Sequence, residues 1–347
     1  MRTTPPGPRD DQLHLRLRIG HTTVPGRRAF IVGAAVGILS APRRVGAQPA
    51  GKIPRVGYVS SNPWTVNVNA FEQGLRERGY TIGRDITVEY RFGDGNPDRS
   101  PALVDEMLRV GVDVMLAANP YVVRAAKLAT RTVPIVAVDL ETDPVQVGWV
   151  RSLSRPGGNL TGFFLDMPEL SGKQLQLLSE AVPRLQRVAV LWDASLAGAQ
   201  FKGGEEAARA ARLEVQSLAM RQVAEFDGAF ATARRQRAQA LLLLSSPLVF
   251  VNLKRLADLA LQHRLPASSV FPQFADAGGL MGYGPNLLDL YRRAAAYVDR
   301  ILKGEQPGEL PIQRPTVFDL ALNLKAAKAL NLTLPEALTV RANRIIQ

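Results

Sequence analysis

From Ile53 onward the chain alternates short apolar runs with helical windows, and it does so twice. Residues 55–59, 86–90, 112–117 and 133–138 read as strands, and 66–79, 97–109 and 121–130 carry apolar residues at helical spacing. Runs that are apolar throughout are buried on both faces, and runs separated by helices pair in parallel. After a helical window at 168–181 the series restarts, with strands at 187–192, 213–219, 238–244 and 267–271. Helices are expected between them at 204–212, 223–237 and 248–264. The fold class is therefore α/β, with two doubly wound, Rossmann-like lobes.

The joins between the lobes predict how often the chain crosses. Arg155-Pro156-Gly157-Gly158-Asn159-Leu160-Thr161-Gly162 is rich in glycine and then extended. A second irregular segment, Gly278 to Pro285, precedes a long helical window at 287–303, and 310–318 is extended again. If the long helix packs back on the first lobe, the chain crosses three times. Residues 53–160 plus about 286–308 then form the first lobe, and 161–282 plus about 310–347 the second. Multiple crossings make a hinge, with Gly158, Asn159, Gly162, Gly282 and Gly284 as its expected residues. Plain surface loops are the competing reading of these segments.

Ahead of the lobes stands Arg27-Arg28-Ala29-Phe30-Ile31, an apolar run to Ala41, and Val45-Gly46-Ala47-Gln48. A twin arginine, a short apolar stretch and small residues before Gln48 predict an export signal of the twin-arginine type, cleaved after Ala47. The run is too short for a membrane span, which needs roughly 20 apolar residues. A buried helix of the fold competes with this reading. Met1 to Gly26 reads as a long leader or as the product of an upstream start codon. The expected destination is the periplasm.

Charge and residue usage narrow the function. The net charge of +12 is partly a property of the leader, because residues 1–47 hold eight Arg and two Asp. The rest carries 35 basic and 29 acidic residues, a net of +6. Its positive charges are scattered on helix faces, as at Arg234-Arg235-Gln236-Arg237, and predict no nucleic-acid partner. The absence of cysteine rules out a lipid-modified cysteine and a disulfide. Of three histidines, His14 and His21 precede the cleavage site and His263 stands alone, so neither a metal site nor a His-based triad is expected. With no Gly-x-Ser-x-Gly elbow and no Walker A loop, the chain reads as a non-enzyme without a cofactor.

In doubly wound sheets, ligands bind beyond the carboxyl ends of the strands. There the first lobe carries Ser60, Ser61 and Asn62, then Asn119, then Asp143 before Pro144. The second carries Trp192 and Asp193, Ser245 and Ser246, and Phe274. Hydroxyls, amides, carboxylates and aromatics on facing rims suit a small polar solute with an apolar part. Singly, a Ser or Asn after a strand equally reads as a helix cap, and Asp143-Pro144 as a turn.

These motifs resemble a known family. Val56-Gly57-Tyr58-Val59-Ser60-Ser61, Phe71-Glu72-Gln73-Gly74-Leu75, Asp143-Pro144-Val145 with Gly148, the Arg155 to Gly162 block, Gly278-Gly279-Leu280-Met281-Gly282-Tyr283-Gly284-Pro285 and Arg300-Ile301-Leu302-Lys303-Gly304 follow in order. The chain resembles, from about Ile53 to its end, the ABC-transporter substrate-binding proteins of the tryptophan/tyrosine type, built on the type I periplasmic binding protein fold. The resemblance implies two lobes closing on one small molecule, an amino acid or related carboxylate, and docking of a monomer on a membrane ABC permease. A sensory receptor in the permease's place would use the same closure. The resemblance also implies a carboxylate held by Ser60 and Ser61 and an ammonium paired with Asp143. Thr161 would join the contact shell, and Trp192, Phe274 and Tyr283 would supply an aromatic wall. Two rims depart from the family's commoner forms, Ala117-Ala118-Asn119-Pro120-Tyr121 and Trp192-Asp193-Ala194. Both fall where ligand contacts are expected, which argues against an aromatic amino acid.

Overall fold

The structure, a computed structural model, describes residues 52–347 apart from 141–142, 166 and 197. The expected signal residues Arg27, Arg28 and Ala47 lie outside the described residues.

The first lobe is built on a five-stranded parallel sheet. Its strands are β1 (Arg55–Ser60), β2 (Thr87–Phe92), β3 (Val114–Ala117), β4 (Ile135–Leu140) and β5 (Leu160–Phe164), in the order β2-β1-β3-β4-β5. Helices α1 (Thr65–Arg76), α2 (Ser100–Val110) and α3 (Pro120–Ala129) cover it. β3 is wholly buried, as its unbroken Val-Met-Leu-Ala run requires. Register places Val59 beside Ala117, and the Ala118 N–H donates to the Val59 carbonyl at 3.0 Å. The turns that follow β1 and β3 are thereby neighbours.

The second lobe holds a seven-stranded sheet in the order β12-β11-β10-β9-β8-β6-β7. These strands are β6 (Arg187–Asp193), β7 (Glu214–Met220), β8 (Ala240–Leu243), β9 (Ala267–Ser269), β10 (Met281–Pro285), β11 (Phe318–Asn323) and β12 (Arg344–Ile346). Every pair is parallel except β10 with β11. Helices α4 (Met167–Ala181), α5 (Ala199–Ala210), α6 (Phe226–Arg235), α7 (Pro247–Val251), α8 (Leu253–Gln262) and α9 (Gln273–Asp276) accompany it. The helical window at 248–264 is therefore two helices. They break at Asn252, whose side-chain amide turns back to the Leu248 carbonyl at 2.8 Å. Two further short helices, α11 (Leu324–Ala329) and α12 (Glu336–Thr339), close the chain after the long helix between β10 and β11.

That long helix, α10 (Leu287–Leu302), packs on α1 and on β3, β4 and β5 of the first lobe. Its apolar stripe of Leu290, Tyr291, Ala294, Ala295, Val298 and Ile301 is buried at three- and four-residue spacing. Gly74 lets α1 approach, because a Cβ there would sit 2.4 Å from the Arg292 carbonyl oxygen. Fully burying Phe71 and Leu75 beside it contributes roughly 2–3 kcal/mol each. The chain thus passes between the sheets three times, after β5, between β10 and α10, and before β11.

The crossings sit later than the sequence suggests. β5 pairs with β4, so residues 160–164 belong to the first sheet although 161 onward reads as second lobe. The segment after α10 also keeps to the first lobe. The Gln313 N–H donates to Gly162 and the Phe164 N–H to Gln313, both at 2.9 Å. Gly158 and Asn159 precede β5, at the end of the sheet away from the carboxyl rim. Asn159 is tied down there by bonds to the Thr130 and Val133 carbonyls and from Lys127. Gly282 and Gly284 lie within β10, where a Cβ would meet the Phe271 carbonyl at 2.3 Å and the Val270 carbonyl at 1.8 Å. Close packing of β10 accounts for both glycines. No helix among the described residues is long and apolar enough to cross a membrane.

Candidate functional site

The carboxyl rims of the two sheets face each other across a narrow cavity of about 20 Å³. The first lobe contributes Asn119, Ala118, Val138 and Trp64 to its wall, and the second Ser245, Ser246, Phe250 and Phe271. Tyr291 and Leu287 of α10 close its back.

Asn119 owes its position to a helix cap. Its Oδ1 accepts the N–H groups of Tyr121 and Val122, both at 3.1 Å, and Pro120 behind it starts α3. That double contact orients the amide, and its Nδ2 is left buried without a partner. The neighbouring turn after β1 repeats the pattern with Ser61 Oγ and Asn62 Nδ2, buried and unpartnered too, and α1 adds Asn67 Nδ2 in its first turn. A buried polar group without a hydrogen bond costs about 1–3 kcal/mol. Amide donors grouped at one sheet end are what an incoming acceptor, above all a carboxylate, would satisfy.

The opposite wall is aromatic. Trp64 lies against Phe250 across the cavity with ring centroids 4.3 Å apart, and Phe250 meets Phe271 edge-on at 4.6 Å. Below, Tyr58 stacks on Tyr291 at 6.2 Å, and the Tyr291 hydroxyl donates to the Ala118 carbonyl at 3.1 Å. Burial, reinforced by Tyr291 beside it, pushes the Tyr58 phenol well above its ordinary range, so it stays neutral.

A model of the ABC transporter substrate binding protein family matches residues 55–346. The chain belongs to that family. A tyrosine-binding protein of Clostridioides difficile is 21% identical over 266 residues, covering 76% of this chain and 75% of that protein. Among solved structures, a conserved domain protein from Vibrio cholerae superposes with a TM-score of 0.78 at 23% identity. A domain from Streptococcus pneumoniae, solved in complex with L-Trp, superposes with 0.78 at 20% identity. Each of these two covers 85% of this chain and 100% of its own length. The family is one of solute-binding proteins and not of enzymes, and its type I fold is the one found here.

In this substrate-binding protein the structure gathers Asn119, Ser245 and Ser246 at the cavity. Ser246 also caps α7, accepting the Val249 N–H at 3.1 Å. Ser60, Ser61 and Asn62 form the adjoining turn, where the Asn62 N–H reaches Ser60 Oγ at 3.4 Å. The other expected residues are engaged elsewhere. Asp143 Oδ1 accepts from the Val145 and Gln146 N–H groups at 2.8 and 3.3 Å, as an Asp-Pro turn would. Thr161 is fully buried and its hydroxyl donates to the Leu310 carbonyl at 2.8 Å. Trp192 stacks on Phe201 and donates from its indole to Ser217 at 2.9 Å. Phe274 is core, tucked so closely under Gly279 that a Cβ there would lie 2.1 Å from its ring. Tyr283 stacks on Phe318 in a separate hollow with Glu169 and Arg314. Asp193 accepts from Tyr121 of the other lobe.

Sequence reasoning passes over Trp64 and Phe250, and of the strand-end segment Phe271-Pro272-Gln273-Phe274 it takes Phe274 rather than Phe271. Phe271 stands two residues beyond β9, on the cavity wall, whereas Phe274 lies within α9. Phe250 becomes visible only once 248–264 is split at Asn252.

Proposed function

We propose that this chain is the periplasmic substrate-binding component of an ABC importer. It would close on an amino acid or related carboxylate with a compact apolar group and hand it to a membrane permease. The observation that carries the reading is the oriented, unpartnered Nδ2 of Asn119 in a cavity walled by Phe250 and Phe271. The amide would receive the carboxylate, and the rings would receive the apolar group. Trp64 laid over Phe250 keeps the space narrow, which favours a compact group. The tyrosine-binding relative and the structure solved with L-Trp support the amino-acid class.

Thermal unfolding of protein refolded free of carried-over ligand tests this. L-Leucine, L-valine and 4-methylpentanoate are expected to raise the melting temperature saturably, and isoamylamine, which lacks the carboxylate, is not. At a hundredfold excess over Kd the stabilisation is about 2.7 kcal/mol, or roughly 5–10 °C. L-Tryptophan and L-tyrosine belong in the same panel; a shift with those two alone would keep the amino-acid class and refute the compact cavity. A shift with the amine would overturn the role of Asn119.

A further inference from the structure

We infer that Tyr121 and Asp193 form a latch between the lobes, setting the ligand's affinity and residence time without touching it. Tyr121 is the second residue of α3, on the rim of the first lobe, and Asp193 ends β6 in the second. The Tyr121 hydroxyl donates to Asp193 Oδ2 at 2.7 Å and lies 2.8 Å from Ser195 Oγ. Asp193 is 4% exposed, and its other oxygen accepts the Ser195 N–H at 2.9 Å and the Ser195 hydroxyl. The carboxylate is therefore held in place by its own lobe, ready to accept from the other. Neither Tyr121 nor Asp193 lines the cavity.

A phenol donating to a buried carboxylate is a charge-assisted hydrogen bond, stronger than a neutral one. This one spans the cleft, so it exists in the closed form and is replaced by water when the lobes part. Its free energy biases the closed-to-open ratio directly, by roughly tenfold or more. A ligand that binds the closed form is weakened in proportion to the closed fraction that is lost. Release requires opening, so the same bond slows dissociation. Asp193, which the sequence places among the ligand contacts, thus acts through closure, and Tyr121 is a positioning residue.

The inference rests on the reading that these lobes open and close, and its main test needs no ligand. The chain has no cysteine, so two introduced ones label cleanly. Asp105 on α2 and Glu206 on α5 are exposed, one on each lobe, and suit nitroxide labels as D105C and E206C. Pulsed electron spin resonance then reads the interlobe distance in ligand-free protein. Tyr121→Phe, which keeps the ring, is expected to shift the distribution to longer distances and lower the closed-to-open ratio about tenfold. Asp193→Asn should act in the same direction, and the double variant should add little to either single change. With L-leucine as the probe, Tyr121→Phe should raise Kd and the dissociation rate about tenfold and leave the leucine-to-valine preference unchanged. Unchanged distance distributions in both single variants would overturn the latch, and so would an altered leucine-to-valine preference. A distance shift without any L-leucine binding would keep the latch and remove the compact-carboxylate reading.

Discussion

Gly162→Ala is expected to lower the melting temperature by roughly 10 °C, a loss of about 4 kcal/mol or more. Gly162 lies inside β5 at a φ of +126°, which L side chains rarely adopt. A Cβ there would stand 2.0 Å from the Ala137 carbonyl oxygen and 2.6 Å from the Ala137 nitrogen. Both are backbone atoms of β4, held by the sheet, and cannot swing aside as a flexible side chain would. Gly162 pairs directly with Ala137, and the β4–β5 register slips only beyond that pair. The substitution therefore combines backbone strain of about 1–3 kcal/mol with overlap against a rigid strand. Gly79→Ala is the control, for it has a φ of +87° and nothing within 4 Å of the added carbon. It should cost about 1 kcal/mol, from conformation alone. Differential scanning calorimetry of the two variants checks the pair; a similar small loss for both would refute the packing role. A glycine that served as a free hinge would tolerate alanine in the melt and fail in ligand-induced closure.

The expected strands match β1–β4 and β6–β9 to within two residues, most plainly at β3 and β8, where a buried parallel strand is a continuous apolar run; β12 (Arg344–Ile346) is not among them. The long helix at 287–303 was equally legible, its stripe of Leu290, Tyr291, Ala294 and Val298 being unambiguous. Partnership was harder. Nothing local in Leu160–Phe164 says that its neighbours are Ile135 and, 150 residues on, Gln313. The lobe boundary consequently falls four residues later than expected. At the site, reading the residues just after each strand found Asn119, Ser245 and Ser246 on the cavity wall, since a strand end fixes where its next residue emerges. Direction along a strand was the harder matter. Successive side chains point to opposite faces, so Trp192 turns to Phe201 and α5 while Asp193 reaches Tyr121. The aromatic wall comes from Trp64 and Phe250, whose placement depends on a cap and a helix break rather than on strand ends.

Asn119→Asp should abolish ligand binding and leave the fold intact, with an affinity loss of at least about 100-fold, or roughly 2.7 kcal/mol. Aspartate caps helices as well as asparagine does, so its oxygen can still accept from Tyr121 and Val122. The group that changes is the buried Nδ2, a donor, which becomes a negatively charged oxygen on a residue that lines the cavity. A ligand carboxylate then meets a like charge in place of a hydrogen-bond donor. Asn119→Ala is the less informative variant, because it removes the cap and the donor together and costs about 1 kcal/mol of stability through the cap alone. The aspartate variant carries its own internal check through pH. A like charge close by raises a carboxyl's affinity for its proton, and a protonated carboxyl regains a donor. Affinity in Asn119→Asp should therefore recover as the pH is lowered through the carboxyl range, while the unmodified protein shows no such gain. Isothermal titration at pH 7.5 and pH 4.5 with the carboxylate found by the thermal panel measures both effects. Binding within threefold of the unmodified protein at pH 7.5 would show that the carboxylate is held elsewhere in the cleft.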